Sequence, residues 1–124
     1  MAGWTKDELT RIGDSEEVDV AAAEKGGKWR NRVTIWLVRA EDDLYVRSAV
    51  RGRKAAWYRA VQETHRGMLW AGSLYREVTF VDDDGHNEPV DAAYRSKYRR
   101  YAGRILNSCL TPEARATTMK LIPR

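Results

Sequence analysis

The strongest constraint on the fold is a change of hydrophobic period near residue 17. Val18, Val20 and Ala22 alternate with Glu17, Asp19 and Ala21, and a period of two puts one set on the buried face of a strand. Gly26-Gly27, inside Glu24–Lys28, suits a tight turn and predicts that strands one and two form a hairpin. Arg32–Arg39 is dense in β-branched and aromatic residues (Val33, Thr34, Ile35, Trp36, Val38) and reads as strand two. The acidic turn Glu41–Asp43 leads into Leu44–Ser48 as strand three. Gly67–Ala71 and Tyr75–Asp82 flank the Gly72-Ser73 turn as strands four and five. Thr117, Met119 and Leu121 then alternate with Thr118, Lys120 and Ile122 as strand six, which Pro123 ends.

Helical signals punctuate this pattern. Thr5 followed by Glu8 is a capping box, Trp4 is placed to staple onto Leu9, and Gly13 marks a stop. Ala55–Thr64 reads as an amphipathic helix, and Asn87 or Glu88 before Pro89 opens a longer one. Tyr94, Tyr98 and Tyr101, with Ala93 and Ile105, predict an aromatic stripe facing the sheet, and Thr111-Pro112-Glu113 starts a last short turn. Six strands in a meander with interposed helices predict a mainly β, α+β fold, an antiparallel barrel with helices over its open ends. A chain of 124 residues can close one core but not two, so residues 1–124 are expected to form a single domain.

Several function classes fall away. No apolar run approaches the ~20 residues of a membrane helix, and Met1–Gly13 is polar where a signal peptide is apolar, so the expected location is cytoplasmic. Cys109 is the only cysteine and His65 and His86 the only histidines, which excludes an intrachain disulfide and argues against a metal site. Nothing matches a Ser-His-Asp arrangement or a Walker loop.

The net charge of +4 is mild, but its distribution is not. Arg47, Arg51, Arg53, Lys54 and Arg59 crowd together with no acid among them, where strand three gives way to a helix. Phosphate binding needs N–H and O–H donors in a positive field, which a helix N-terminus with nearby Arg, Lys and Ser supplies. Arg47 and Ser48 from the strand end, Arg51, Arg53 and Lys54 from the loop, and the N–H groups of Ala55 to Trp57 are the candidate donors. Trp57 or Tyr58 is placed to lie along a planar ring. The same residues also describe a solvated arginine face and a tryptophan plugging the core. For proton transfer the candidates are His65, Tyr45 and Tyr58, although His65 also reads as a helix cap. Trp36 and Tyr75 are further candidates for a cavity wall.

Taken together, the opening Trp4 to Leu9, VTIWLVRAEDDLYVRS from Val33, AWYRAVQETHRG from Ala56 and TPEARATTMKLIPR from Thr111 resemble the bacterial family catalogued as domain of unknown function 2255, over nearly the whole chain. That family is similar, more distantly, to the flavin-binding split barrels, pyridoxamine phosphate oxidase and the deazaflavin-dependent nitroreductases. The resemblance implies a six-stranded antiparallel split β-barrel and an oxidoreductase holding a phosphorylated planar cofactor, FMN or a deazaflavin coenzyme, at Arg47 to Tyr58. It also implies a homodimer. The short loop Arg51-Gly52-Arg53-Lys54 departs from the richer Gly, Lys and Pro pattern of deazaflavin relatives, so cofactor binding and no cofactor at all stand level. The alternative is a cofactor-free enzyme, such as a cyclase or isomerase, or a binding protein for an anionic or planar aromatic small molecule. Single-stranded nucleic acid comes third, because the aromatics fall at inferred interior positions.

Overall fold

The computed structural model describes residues 3–124; Met1 and Ala2 of the polar N-terminal segment lie outside them. Helix α1 (Lys6–Gly13) starts where local chemistry dictates. The Thr5 hydroxyl accepts from the Glu8 N–H at 3.1 Å, and the Glu8 carboxylate accepts from the Thr5 N–H at 3.0 Å, so two donors otherwise orphaned at a helix start are satisfied. Leu9 and Ile12 bury against the sheet, and Trp4 donates its indole N–H to the Leu121 carbonyl at 2.9 Å. This bond ties the first helix to the last strand.

Seven strands follow: β1 (Val18–Ala22), β2 (Val33–Ile35), β3 (Leu37–Ala40), β4 (Asp43–Val46), β5 (Arg66–Ala71), β6 (Leu74–Asp82) and β7 (Met119–Pro123). They form one sheet in the order β2-β1-β5-β6-β7-β4-β3. The expected hairpins β1/β2, β3/β4 and β5/β6 are all present. The six-strand meander is corrected in two respects. Arg32–Arg39 is not one strand: it breaks at Trp36, whose ring stacks on Tyr98 with centroids 3.8 Å apart. β2 then pairs with β1 at one edge of the sheet and β3 with β4 at the other. A single residue therefore bridges the two edges, and the sheet curls into a nearly closed antiparallel split barrel. The order is also not sequential, since β1 pairs with β5 and β4 with β7, pairings that leave only two short edge strands.

Side chains alternate across β3 and β4, which gives the protein two apolar clusters. Leu37, Leu44 and Val46 join Val20, Leu69 and Phe80 in the first, while Val38 and Tyr45 face the other way and join Val90, Tyr94 and Tyr98 in the second. The second cluster is supplied by α3 (Asn87–Lys97), so the expected aromatic stripe is present at Tyr94 and Tyr98, with Tyr101 half-buried. Ile105 does not belong to it and is 58% exposed. The helix stops at Lys97, a 3-10 turn spans Arg99–Tyr101, and Gly103 at φ 110° redirects the chain into α4 (Arg104–Asn107).

Helix α2 (Ala56–Thr64) buries Tyr58, Ala60 and Val61 in the first cluster and ends at His65, whose left-handed backbone returns its N–H to the Val61 carbonyl at 2.6 Å. Helix α5 (Pro112–Arg115) is capped by Thr111, whose hydroxyl accepts from the Ala114 N–H. Gly67 marks the tightest approach in the sheet: a Cβ there would stand 2.5 Å from the Ala21 carbonyl oxygen and 2.7 Å from the Phe80 ring. Among the described residues no helix is long and apolar enough to cross a membrane, and no group of three or more His, Cys, Asp or Glu could hold a metal ion.

Candidate functional site

The basic corner begins where β4 ends, with a buried arginine. The Arg47 side chain is fully buried. Its Nε donates to Thr118 Oγ1 at 2.8 Å, Nη1 to Asp91 Oδ1 at 2.5 Å and the Cys109 carbonyl at 2.9 Å, and Nη2 to Asn87 Oδ1 at 3.1 Å and the Asn87 carbonyl at 3.4 Å. A guanidinium has five N–H donors, and all five are taken. The expectation that Arg47 reaches out to a ligand is thereby corrected: its role is to join β4 to α3 and to the segments before α5 and β7. Asp91 also faces Arg115, whose Nε lies 3.3 Å from Oδ2 without aligning into a hydrogen bond. Beside it, the Ser48 N–H donates to Thr117 Oγ1 at 2.8 Å.

Anchored there, the chain emerges as a surface loop in which Val50 is 86% exposed. On one side of this loop lies a cleft of about 370 Å³, with Trp36, Ser48, Trp57, Tyr94 and Cys109 among its lining residues. On the other side a groove of about 510 Å³ runs between Arg51, Arg53 and Lys54 and the residues Thr111 and Glu113. Arg51 lines both. Gly52 makes this corner at φ 53°, where a Cβ would press on that of Glu113 at 3.3 Å, so glycine meets both a left-handed turn and a close approach. Arg51, Arg53 and Lys54 are exposed. Among the described residues none of the three makes an ion pair or a side-chain hydrogen bond. Helix α2 starts directly after them at Ala55 with no side-chain cap, so its first-turn N–H groups add to the same positive field.

The proton-transfer candidates sit elsewhere. Tyr45 is buried in the second cluster, its phenol pushed up to about 12 by burial and then by Asp43 and Asp83. Tyr58 lies in the first cluster and is also raised, by burial and then by Asp82. His65 is on the surface with Nε2 3.5 Å from Asp82 Oδ2. Tyr58 and His65 thus share a carboxylate neighbour, Tyr45 is apart from both, and none of the three lines the cleft. The structure brings together Ser48, Arg51 and Trp57, with Arg53 and Lys54 adjoining and Arg47 in the wall. Trp36 lines the cleft as expected of a wall residue, whereas Tyr75 is 64% exposed. Tyr94, Ser108 and Cys109 are lining residues that sequence reasoning did not assign. Tyr94 was visible only as part of a helical stripe. Ser108 and Cys109 carried no signal, because they reach the cleft through the Arg47 bond to the Cys109 carbonyl. Burial raises the Cys109 thiol above its ordinary value.

Residues 8–121 match the model of a family described as an uncharacterized protein conserved in bacteria, DUF2255. The chain belongs to this family. No curated protein matches its sequence. Solved structures do match its fold. The conserved hypothetical protein Rv2991 from Mycobacterium tuberculosis superposes with a TM-score of 0.58 at 10% identity, over 99% of this chain and 81% of that one. The FAD and heme binding protein from Mycobacterium smegmatis gives 0.58 at 20% identity, over 95% and 65%. An F420 reductase gives 0.52 at 16% identity, over 98% and 94%. At such identities the likeness is one of fold alone.

Proposed function

We propose that this chain is an oxidoreductase that binds a planar, phosphorylated cofactor of the flavin or deazaflavin class where the cleft meets the basic groove. The observation that carries the reading is the coincidence of three unpaired cations, Arg51, Arg53 and Lys54, with an uncapped helix start and an aromatic-walled cleft. Unpartnered cations at a helix N-terminus suit a phosphate, and the cleft volume falls among those of ligand pockets, about 300–1,000 Å³. Trp36 and Trp57 offer flat apolar surface for a ring system. The F420 reductase and the FAD and heme binding protein of similar fold support the same cofactor class. Such a group, when bound, supplies hydride or electron transfer. The residues of the chain do the holding. Arg51, Arg53 and Lys54 fix the anionic end, Trp36 and Trp57 orient the ring and exclude water, and the Arg47–Asp91 pair keeps the loop root rigid.

The reading is tested by titrating FMN, FAD and a deazaflavin coenzyme into the protein and following cofactor fluorescence. Saturable quenching by at least one is expected, and Arg51→Ala/Arg53→Ala/Lys54→Ala should weaken it about tenfold or more, since one charge-assisted hydrogen bond contributes about 1.5–3 kcal/mol. The melting temperature should change little, because the three side chains are exposed and make no ion pair or hydrogen bond among the described residues. Absence of saturable quenching by all three, or an affinity indifferent to the triple substitution, overturns the proposal. The homodimer implied by the resemblance is checked separately by sedimentation.

A further inference from the structure

A second cluster of chemistry lies outside the cleft, around the end of α3. Of the six lysines in the sequence, Lys6, Lys25, Lys28 and Lys54 are exposed. The other two are half-buried, and they differ. Lys120 has a carboxylate partner, Asp43, at 3.9 Å. Lys97 has none within ion-pair range among the described residues. Its Nζ instead donates to the Leu37 carbonyl at 2.6 Å and stands 5.1 Å from the centre of the Tyr98 ring. A half-buried ammonium with no carboxylate close enough to pair with it favours the neutral, nucleophilic amine.

Lys97 also opens onto a pocket of about 230 Å³ of its own. The charged groups facing it are Asp14 and Glu16 from the turn after α1, and Arg99 and Arg100 from the turn after α3. Glu16 is engaged by Arg100 and by the Tyr101 hydroxyl. The Arg99 side chain has no ion-pair or hydrogen-bond partner among the described residues. A nucleophilic amine beside an unengaged guanidinium suits an electrophile that carries its own anion.

We propose that Lys97 is an acylation site whose pocket takes an acyl phosphate, with Arg99 drawing in the phosphate end. The neutral amine attacks the acyl carbon and an N–C bond forms. The C–O bond to phosphate breaks, phosphate leaves with that electron pair, and the amine proton passes to solvent. No oxidant or metal is required. Burial pushes the Lys97 amine down to about 8, with Asp14 opposing, which makes about half of it neutral near pH 8, against under about 1% for an ordinary lysine. The product loses the positive charge and gains bulk beside Tyr98, whose ring stacks on the cleft residue Trp36.

The test is to incubate the full chain with acetyl phosphate at pH 8 and follow acetylation at each lysine by peptide mass mapping. Lys97 should be acetylated about tenfold faster than the exposed Lys25 and Lys28, and the preference should vanish in urea. Arg99→Ala should slow Lys97 severalfold and leave Lys25 and Lys28 unchanged. Because Arg99 is exposed and unpaired, that variant should melt as the parent does. Acetylation of Lys97 no faster than that of Lys25 and Lys28, or a Lys97 rate untouched by Arg99→Ala, overturns the proposal.

Discussion

Replacing Arg47 with methionine is the sharpest perturbation available, because one side chain serves five acceptors on three separate segments. The substitution keeps most of the volume and removes the charge. Asp91, whose side chain is 12% exposed, is then left with Arg115 alone at 3.3 Å. Breaking a buried pair by removing one member costs about 3–5 kcal/mol. The remaining Arg115 neighbour places this case at the lower end, about 3 kcal/mol. With a urea m-value of about 2 kcal/mol/M for a chain of this size, the unfolding midpoint should fall by about 1.5 M at unchanged m. Arg47→Met/Asp91→Leu should recover part of that loss, since it removes the carboxylate that the single variant strands and leaves only the partly exposed Arg115 without its neighbour. A midpoint shift below about 0.5 M, or a double variant no more stable than the single one, refutes the view that the pair holds the loop root.

Three further outcomes follow from other parts of the fold. Gly67→Ala forces a Cβ against the Ala21 carbonyl and the Phe80 ring, and should cost about 1–3 kcal/mol and lower the melting temperature by several degrees. Gly26→Ala, with nothing within 4 Å of its Cβ, should change it little. Tyr98→Phe removes the hydroxyl that donates to the Glu16 carbonyl at 2.7 Å and accepts from the Leu37 N–H at 3.3 Å; a loss of about 1–3 kcal/mol is expected in chemical denaturation. Glu8 is held below its ordinary carboxylate value by the Thr5 N–H and by Arg76, against burial. A depressed native value means that its contribution is complete above the unfolded value, about 4.3, and fades as pH falls through the lower native one. The stability gap between the parent and Glu8→Gln should therefore close in acid, and a gap that persists at pH 2 would sink this assignment.

Legibility in the sequence followed the range of the interactions involved. The capping box at Thr5 and Glu8, the cap at Thr111 and the hairpin around Gly72-Ser73 were readable, because each depends on residues within a few positions of one another. The basic loop was readable for the same reason: Arg51, Arg53 and Lys54 are neighbours, and among the described residues none of them forms an ion pair. The end of α3 was misjudged from a periodicity that ran on past Lys97, although Gly103 stood as a visible break.

By itself, then, the sequence determined where most strands and helices lie and the place where positive charge gathers. A two-residue period shows that a segment is extended and which face is apolar, but carries no information about its neighbour. Which strands pair, the break at Trp36 and the near-closure of the barrel were decided only when the edges met in three dimensions. The fate of Arg47 was decided in the same way. Its chain neighbours mark it as part of a basic surface, yet Asp91, Asn87, Thr118 and the Cys109 carbonyl converge on it from 40 or more residues away. A buried guanidinium is tolerable only when such acceptors surround it, and no local pattern records that they do.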